Sequence, residues 1–113
     1  MAVGAVAVLN IPLRLTAAVA ANRFVTAAGA YPAAGGATKG VTRAAGAIGE
    51  LASVDAQGTA VVEAGAAVSA GATVQSDATG RAITYASGNK AGVALTAGAA
   101  AGATIEVELI PNG

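Results

Sequence analysis

The side chains that could do chemistry in this chain are few. Glu106 and Glu108 form a carboxylate pair, the residue type that serves general acid and base catalysis. At i, i+2 on an alternating segment they share one face of a strand, which reads as a solvated face. Gly36-Ala-Thr-Lys-Gly40 echoes a phosphate loop without the Gly-x-x-x-x-Gly-Lys-Ser/Thr spacing that cradles a phosphate. Thr79-Gly-Arg81 reads as a hairpin turn before it reads as an anion-binding motif. Tyr31 and Tyr85 read as packing residues, and either could anchor an interface. Histidine, cysteine and tryptophan are absent. Disulfides, thiolate chemistry, Cys/His zinc sites and a Ser–His–Asp triad are therefore excluded. The residues point to no catalytic site, no cofactor-binding site and no metal site.

The elements that position these residues must be built largely from alanine and glycine. Of 113 residues, 34 are alanine and 16 glycine, while six basic residues balance six acidic ones. A balanced charge gives no electrostatic footprint for nucleic acid or for an anionic membrane. Length argues for one domain. Charged residues make up 11% of the chain, against roughly 25–35% on a typical designed soluble surface. Much of the surface must be small and apolar, which predicts a subunit that associates with itself or with a larger assembly. Mean hydropathy is high, but Asn10 and Pro12 interrupt the charge-free N-terminus, which is shorter than the ~20 residues of a bilayer span. Ala20 and Ala21 imitate a signal cleavage site, yet Arg14 follows the apolar stretch instead of preceding it. The expectation is no transmembrane segment.

Alanine favours helix, but the glycines recur too often for helix interiors, at about 1 kcal/mol each. The large apolar residues fall in short β-branched clusters: Phe24–Thr26, Val41–Thr42, Thr59–Glu63, Thr73–Gln75, Ala82–Tyr85, Val93–Thr96 and Thr104–Ile110. Turn signals separate them at Asp55-Ala-Gln-Gly58, Asp77-Ala-Thr-Gly80, Ser87-Gly-Asn89 and Ala97-Gly98. Thr104–Ile110 alternates cleanly, with Ile105, Val107 and Leu109 opposite Glu106 and Glu108. The reading is all-β, a small β-barrel or β-sandwich. No fixed-period repeat is expected, and the Asp-x-x-Gly turns read as separate hairpins.

Residues 1–13 form an uncharged arm preceding a single β domain over 14–113. Val6, Val8, Leu9 and Ile11 favour a strand, Asn10 interrupts the apolar run, and Pro12 confines the segment to an edge. No tight turn ties the arm to the adjoining segment, so it is expected to seek an outside edge and to be dispensable for folding. Residues 27–49 are the most degenerate part, with Tyr31–Gly36 reading as a loop.

The most informative stretch is Gly65–Ile83. Val68 and Val74 point inward, Gly71 permits a sharp bend, and Asp77–Gly80 reverses the chain into Arg81. Here the sequence resembles the capsid decoration, or cement, proteins of tailed bacteriophages. The resemblance rests on three stretches: Thr16-Ala-Ala-Val-Ala-Ala-Asn-Arg-Phe-Val25; a core of Gly58, Gly65, Val68, Gly71, Val74, Asp77, Gly80, Arg81 and Ala82; and an ending through Gly92-Val-Ala-Leu95 and Ala100–Leu109. It implies a compact, tulip-like all-β virion protein without catalysis or cofactor. Such a protein sits on the outer capsid surface, commonly as a homotrimer, and bridges neighbouring major capsid protein subunits. It is made in the host cytoplasm and contacts neither nucleic acid nor membrane. Val6, Val8, Leu9, Asn10, Ile11 and Pro12 would then be the capsid-binding arm, acting by strand addition.

Two other readings compete. One is a different structural class, such as a secreted bacterial surface or fibre subunit. A lipoyl or biotinyl carrier domain shares the Val68–Gly71 bend but needs a lysine at a hairpin tip, and Lys39 and Lys90 lie elsewhere.

Overall fold

The computed structural model describes residues 7–110. Eight strands carry the fold: β1 (Ala7–Arg14), β2 (Phe24–Val25), β3 (Gly40–Thr42), β4 (Leu51–Glu63), β5 (Thr73–Ser76), β6 (Ala82–Thr84), β7 (Gly92–Ala94) and β8 (Thr104–Leu109). They run in the order β2-β3-β4-β8-β7-β5-β6, with β1 also on β4. All these pairings are antiparallel. The sheet nearly closes into a small barrel, and no helix occurs among the described residues. Glycine spacing thus outweighs alanine's helical preference, as the β-branched clusters indicated.

The long strand β4 is the spine. Its first half pairs with β1 and β3, and its second half with β8. Asp55-Ala-Gln-Gly58, expected as a turn, instead lies inside this strand. Asp55 is 2% exposed, which is tolerable because its Oδ1 accepts from Arg43 Nε at 2.7 Å and from Asn10 Nδ2 at 2.9 Å. Buried charge survives where it is paired. Gly58 takes φ +96° where the β1 ladder slips register, as at a bulge.

The arm also departs from expectation. From Ala7 to Arg14 it pairs along β4 in its own chain, Ile11 opposite Val54 and Leu13 opposite Ala52. The sequence hides this partner because 36 residues separate the end of the arm from β4, so no hairpin signal links them.

No fixed-period repeat is expected from the sequence, and the structure holds a two-unit repeat of unequal spacing. Residues 10–55 and 59–108 trace the same backbone circuit. Val19 and Gly46 exchange two backbone hydrogen bonds at 3.0 Å, as Val68 and Gly98 do at 2.9 Å. Leu15 donates to Glu50 and accepts from Gly49, while Ala64 donates to Ala103 and accepts from Gly102. Asn22 N–H reaches Thr42 O at 2.8 Å, and Gly71 N–H reaches Ala94 O at 2.7 Å. Phe24 pairs Val41 as Thr73 pairs Val93. Arg14 opposes Leu51 as Glu63 opposes Thr104. The strand β4 therefore ends one unit and begins the next. The repeat hides because the second unit is three residues longer between Val74 and Ala91 than the first is between Val25 and Lys39. Most matched identities are also Ala, Gly or Val, which this composition supplies by chance.

Each unit has a core. Leu15, Val19, Val25, Ala52 and Val54, with Ile11, Leu13 and Tyr31 against them, fill the N-terminal one. Ala64, Val68, Val74, Ile105 and Val107 occupy the equivalent places in the other, together with Ala60, Val62 and Ala82. Phe24 and Val41, from the N-terminal unit, complete this second core.

Candidate binding surface

The strand β1 lies on the rim of the sheet. Leu15 N–H donates to Glu50 O at 2.8 Å, so strand alternation turns the nitrogens of Arg14, Pro12 and Asn10 to the outer edge. Pro12 therefore loses no ladder bond, the arrangement that permits proline in an edge strand. Among the described residues β1 pairs with β4 alone. Its outer edge thus offers unpaired backbone groups, the usual template for a further strand.

The side chains of the arm divide by role. Val8 is 75% exposed and Leu9 43%, both where the register slips. Pro12 is exposed as well. Asn10, by contrast, is held internally: its Oδ1 accepts from Ser53 Oγ at 2.8 Å while its Nδ2 binds Asp55. Ile11 packs on the N-terminal core. Val6 lies outside the described residues.

The Gly65–Ile83 stretch forms the expected hairpin, and its residues serve packing. Val68 and Val74 are buried. Gly71 bends at φ +85°. Asp77 Oδ1 accepts from Thr79 N, Thr79 Oγ1 and Arg81 N at 2.9–3.0 Å, closing the Asx-type turn. Gly80 O accepts Phe24 N–H at 2.7 Å, and a Cβ on Gly80 would overlap Phe24 O and the Tyr31 ring. Arg81 Nε lies 2.8 Å from Glu63 Oε2, an ion pair in which Nε lacks hydrogen-bond geometry. Arg23 reaches the same oxygen at 3.3 Å, donates to Thr79 O at 3.0 Å and lies over the Tyr31 ring. The motif is therefore the clasp between the two units. Gly80 and Arg81 stand at their joint, whereas Gly71 is on the far surface.

The other candidate groups do not converge on a reaction centre. Glu106 and Glu108 lie on the non-core face of β8, as expected. Lys39 N–H is spent on Val25 O at 2.7 Å, so Gly36–Gly40 returns to the ladder instead of wrapping an anion. Tyr85 OH donates to Gly88 O, and Lys90 covers its ring. A groove of about 250 Å³ is lined by Asn22, Thr42, Arg43, Asp55 and Val61, and its one carboxylate is committed to Arg43 and Asn10. Among the described residues no three acidic side chains gather as a metal site would require.

Several structural residues were not singled out from the sequence. Gln75 is buried, and its Oε1 accepts Ala86 and Ser87 N–H at 2.8 and 3.0 Å, pinning the turn after β6. Ile48, Leu51 and Leu95 are exposed apolar residues. Their signal was available, since each breaks a small-residue or turn context.

The fold thus defines a small all-β barrel of two like units with an apolar edge strand. Comparison places it further. The chain belongs to the phage cement protein family, which matches residues 3–109. It is a structural protein of a phage virion. It also resembles the crystal structure of the head fiber gp8.5 N base of bacteriophage phi29, at 17% identity with a TM-score of 0.73, over 92% of this chain and 95% of that one. That likeness is one of fold. No curated protein matches the sequence.

Proposed function

We propose that this protein binds the outer surface of the phage capsid without catalysing a reaction, and cements the shell by bridging neighbouring major capsid protein subunits, as a homotrimer. It is made in the host cytoplasm and uses neither cofactor, nucleic acid nor membrane. Family membership motivates the role. The observation that carries the mechanism is the open edge of β1, with Val8, Leu9 and Pro12 exposed along it and Val6 preceding them. A capsid strand added along Val8–Asn10, ahead of Pro12, gains backbone hydrogen bonds worth on the order of 1 kcal/mol each, plus the burial of Val8 and Leu9. Asn10 and Ile11 contribute by holding β1 rigid on β4, so less ordering entropy is lost on docking. Binding to the assembled shell stabilises it by RT ln(1 + [L]/Kd) per site.

Co-sedimentation with expanded capsids tests this. Val8→Glu with Leu9→Lys should weaken binding at least tenfold while circular dichroism and melting stay unchanged. Undiminished binding would remove β1 as the contact. Shells lacking the protein should assemble but rupture at lower temperature, and equal heat resistance would refute cementing.

A further inference from the structure

The contact between the two units is heterologous. The N-terminal unit presents one face of its sheet, Phe24–Val41–Asp55 across three paired strands, and all three residues are at most 2% exposed. The C-terminal unit receives it: Phe24 and Val41 enter its core, where Ala60 and Val62 are fully buried. The backbone also takes part, since Glu63 N–H at the outer edge of β4 donates to Asn22 O at 2.9 Å.

Both sides of this contact recur, without a facing unit among the described residues, at the two ends of the fold. The presenting face recurs as Thr73–Val93–Glu108, likewise aligned across three strands. Thr73 and Val93 are half-buried, Glu108 is exposed, and Leu95 on the same face is 42% exposed. Gly71, the counterpart of Asn22, has nothing within 4 Å of where a Cβ would stand. The receiving side recurs as Ile11 and Leu13, the counterparts of Ala60 and Val62, and both are only half-buried. Arg14, the counterpart of Glu63, turns its backbone N–H to the outer edge of β1, while Gly29 lies against its carbonyl. A set of positions that one interface buries is therefore only partly covered twice, once in each role.

We infer that a second copy of this chain docks head to tail, its Thr73–Val93–Glu108 face and Gly71 carbonyl meeting Ile11, Leu13 and the Arg14 edge of the first. The occupant is a second copy because the surface that fits the receiving side already exists in this chain and fits its equivalent internally. Contacts of this kind close into rings when the rotation permits and otherwise extend. In a homotrimer ring every copy would use each face once. The inference stands without any capsid.

Two blocked variants test it. Val93→Lys, with Thr73→Lys as a second choice, disables the presenting face. Arg14→Pro disables the receiving edge. It removes an outward N–H, as Pro12 already does, and spares the β4 ladder. Ile11→Lys, whose aliphatic stem can stay on the core, is the alternative. Sedimentation velocity of the full chain should show association that rises with concentration. Each folded variant should lose at least tenfold in affinity. An equimolar mixture of a presenting-blocked and a receiving-blocked variant should form a two-chain species, because each retains the face the other lacks. Overturning results are a wild-type chain that stays monomeric, variants that associate normally, or a mixture that stays monomeric. A chain that binds capsids yet never self-associates would sink this inference and leave capsid binding intact.

Discussion

The two units run the same backbone circuit but fill it differently. The N-terminal unit closes its core with its own bulk, placing Leu15 where the C-terminal unit has Ala64 and packing Tyr31 against it. The C-terminal unit keeps small side chains and imports Phe24 and Val41 across the joint. Duplicated folds need not duplicate their packing: one unit fills itself, and the other is completed by its neighbour. The difference also explains why the largest buried side chain belongs to the first unit in sequence and to the second in packing.

The strongest test of this asymmetry is at its hinge. Phe24→Ala should cost about 3–5 kcal/mol, the usual range for emptying a buried phenylalanine site. Its counterpart Thr73→Ala, on an uncovered face, should stay within about 0.5 kcal/mol in the monomer. Urea denaturation of both variants decides the matter. Similar losses would mean that the two positions are packed alike.

Where the units agree, substitutions should agree too. A Cβ on Gly40 would strike Asp55 O and Val54 Cγ1, and one on Gly92 would strike Glu108 O and Val107 Cγ1. The neighbours are equivalent pair for pair. Gly40→Ala and Gly92→Ala should each cost about 1–3 kcal/mol, as overpacking does. A neutral result at either would break the structural equivalence of the third strands, β3 and β7.

Much of this was legible in the sequence, and the reasons can be stated residue by residue. The strand clusters were visible because β-branched residues stand out against alanine, and β8 was visible because Glu106 and Glu108 alternate with Ile105 and Val107. The bend at Gly71 and the turn from Asp77 to Gly80 followed from local chemistry. Long-range pairing was not legible. Nothing near Asp55 announces that Arg43 and Asn10 will neutralise it within a strand, and nothing near Leu9 names β4 as a partner. The repeat was masked by side chains of different size at equivalent sites, such as Phe24 against Thr73. Val8 and Leu9 announce a strand by side-chain type alone, whereas the service of Asn10 and Ile11 to the chain's own ladder and core depends on that distant partner.

Electrostatics at the clasp should contribute less than packing. Glu63 lies between Arg23 and Arg81, with its side chain 28% exposed. Glu63→Gln leaves two cations facing each other without their shared anion and should cost about 1 kcal/mol, the scale of a partly exposed charged hydrogen bond. The deficit should shrink as salt rises, because screening relieves the repulsion that remains. A salt-independent loss would assign the effect to packing. The equivalent position in the first unit, Arg14, donates from Nη1 to Gly49 O at 2.7 Å on the exposed surface and, among the described residues, reaches no carboxylate across a joint, so Arg14→Gln should stay within about 0.5 kcal/mol.

The smallest expected effect compares the two bends that open β2 and β5. Among the described residues Asn22, at φ +60°, is the non-glycine residue with positive φ, while its counterpart Gly71 has φ +85°. The left-handed region is disfavoured for side chains by about 1–2 kcal/mol, with asparagine among the residues that tolerate it best. Space around Gly71 is open, so Gly71→Ala should register backbone strain alone, about 1 kcal/mol. Asn22→Ala should lose about as much, since alanine shares the steric cost without asparagine's local tolerance. Asn22→Gly should fall within about 0.5 kcal/mol of the native chain, because relief of strain offsets the extra freedom glycine gives the unfolded state. Melting temperatures of the three variants, ranked side by side, check this. If Asn22→Gly were the most damaging, the Asn22 side chain itself would be stabilising the joint, and the two bends would not be equivalent in energy despite their shared geometry.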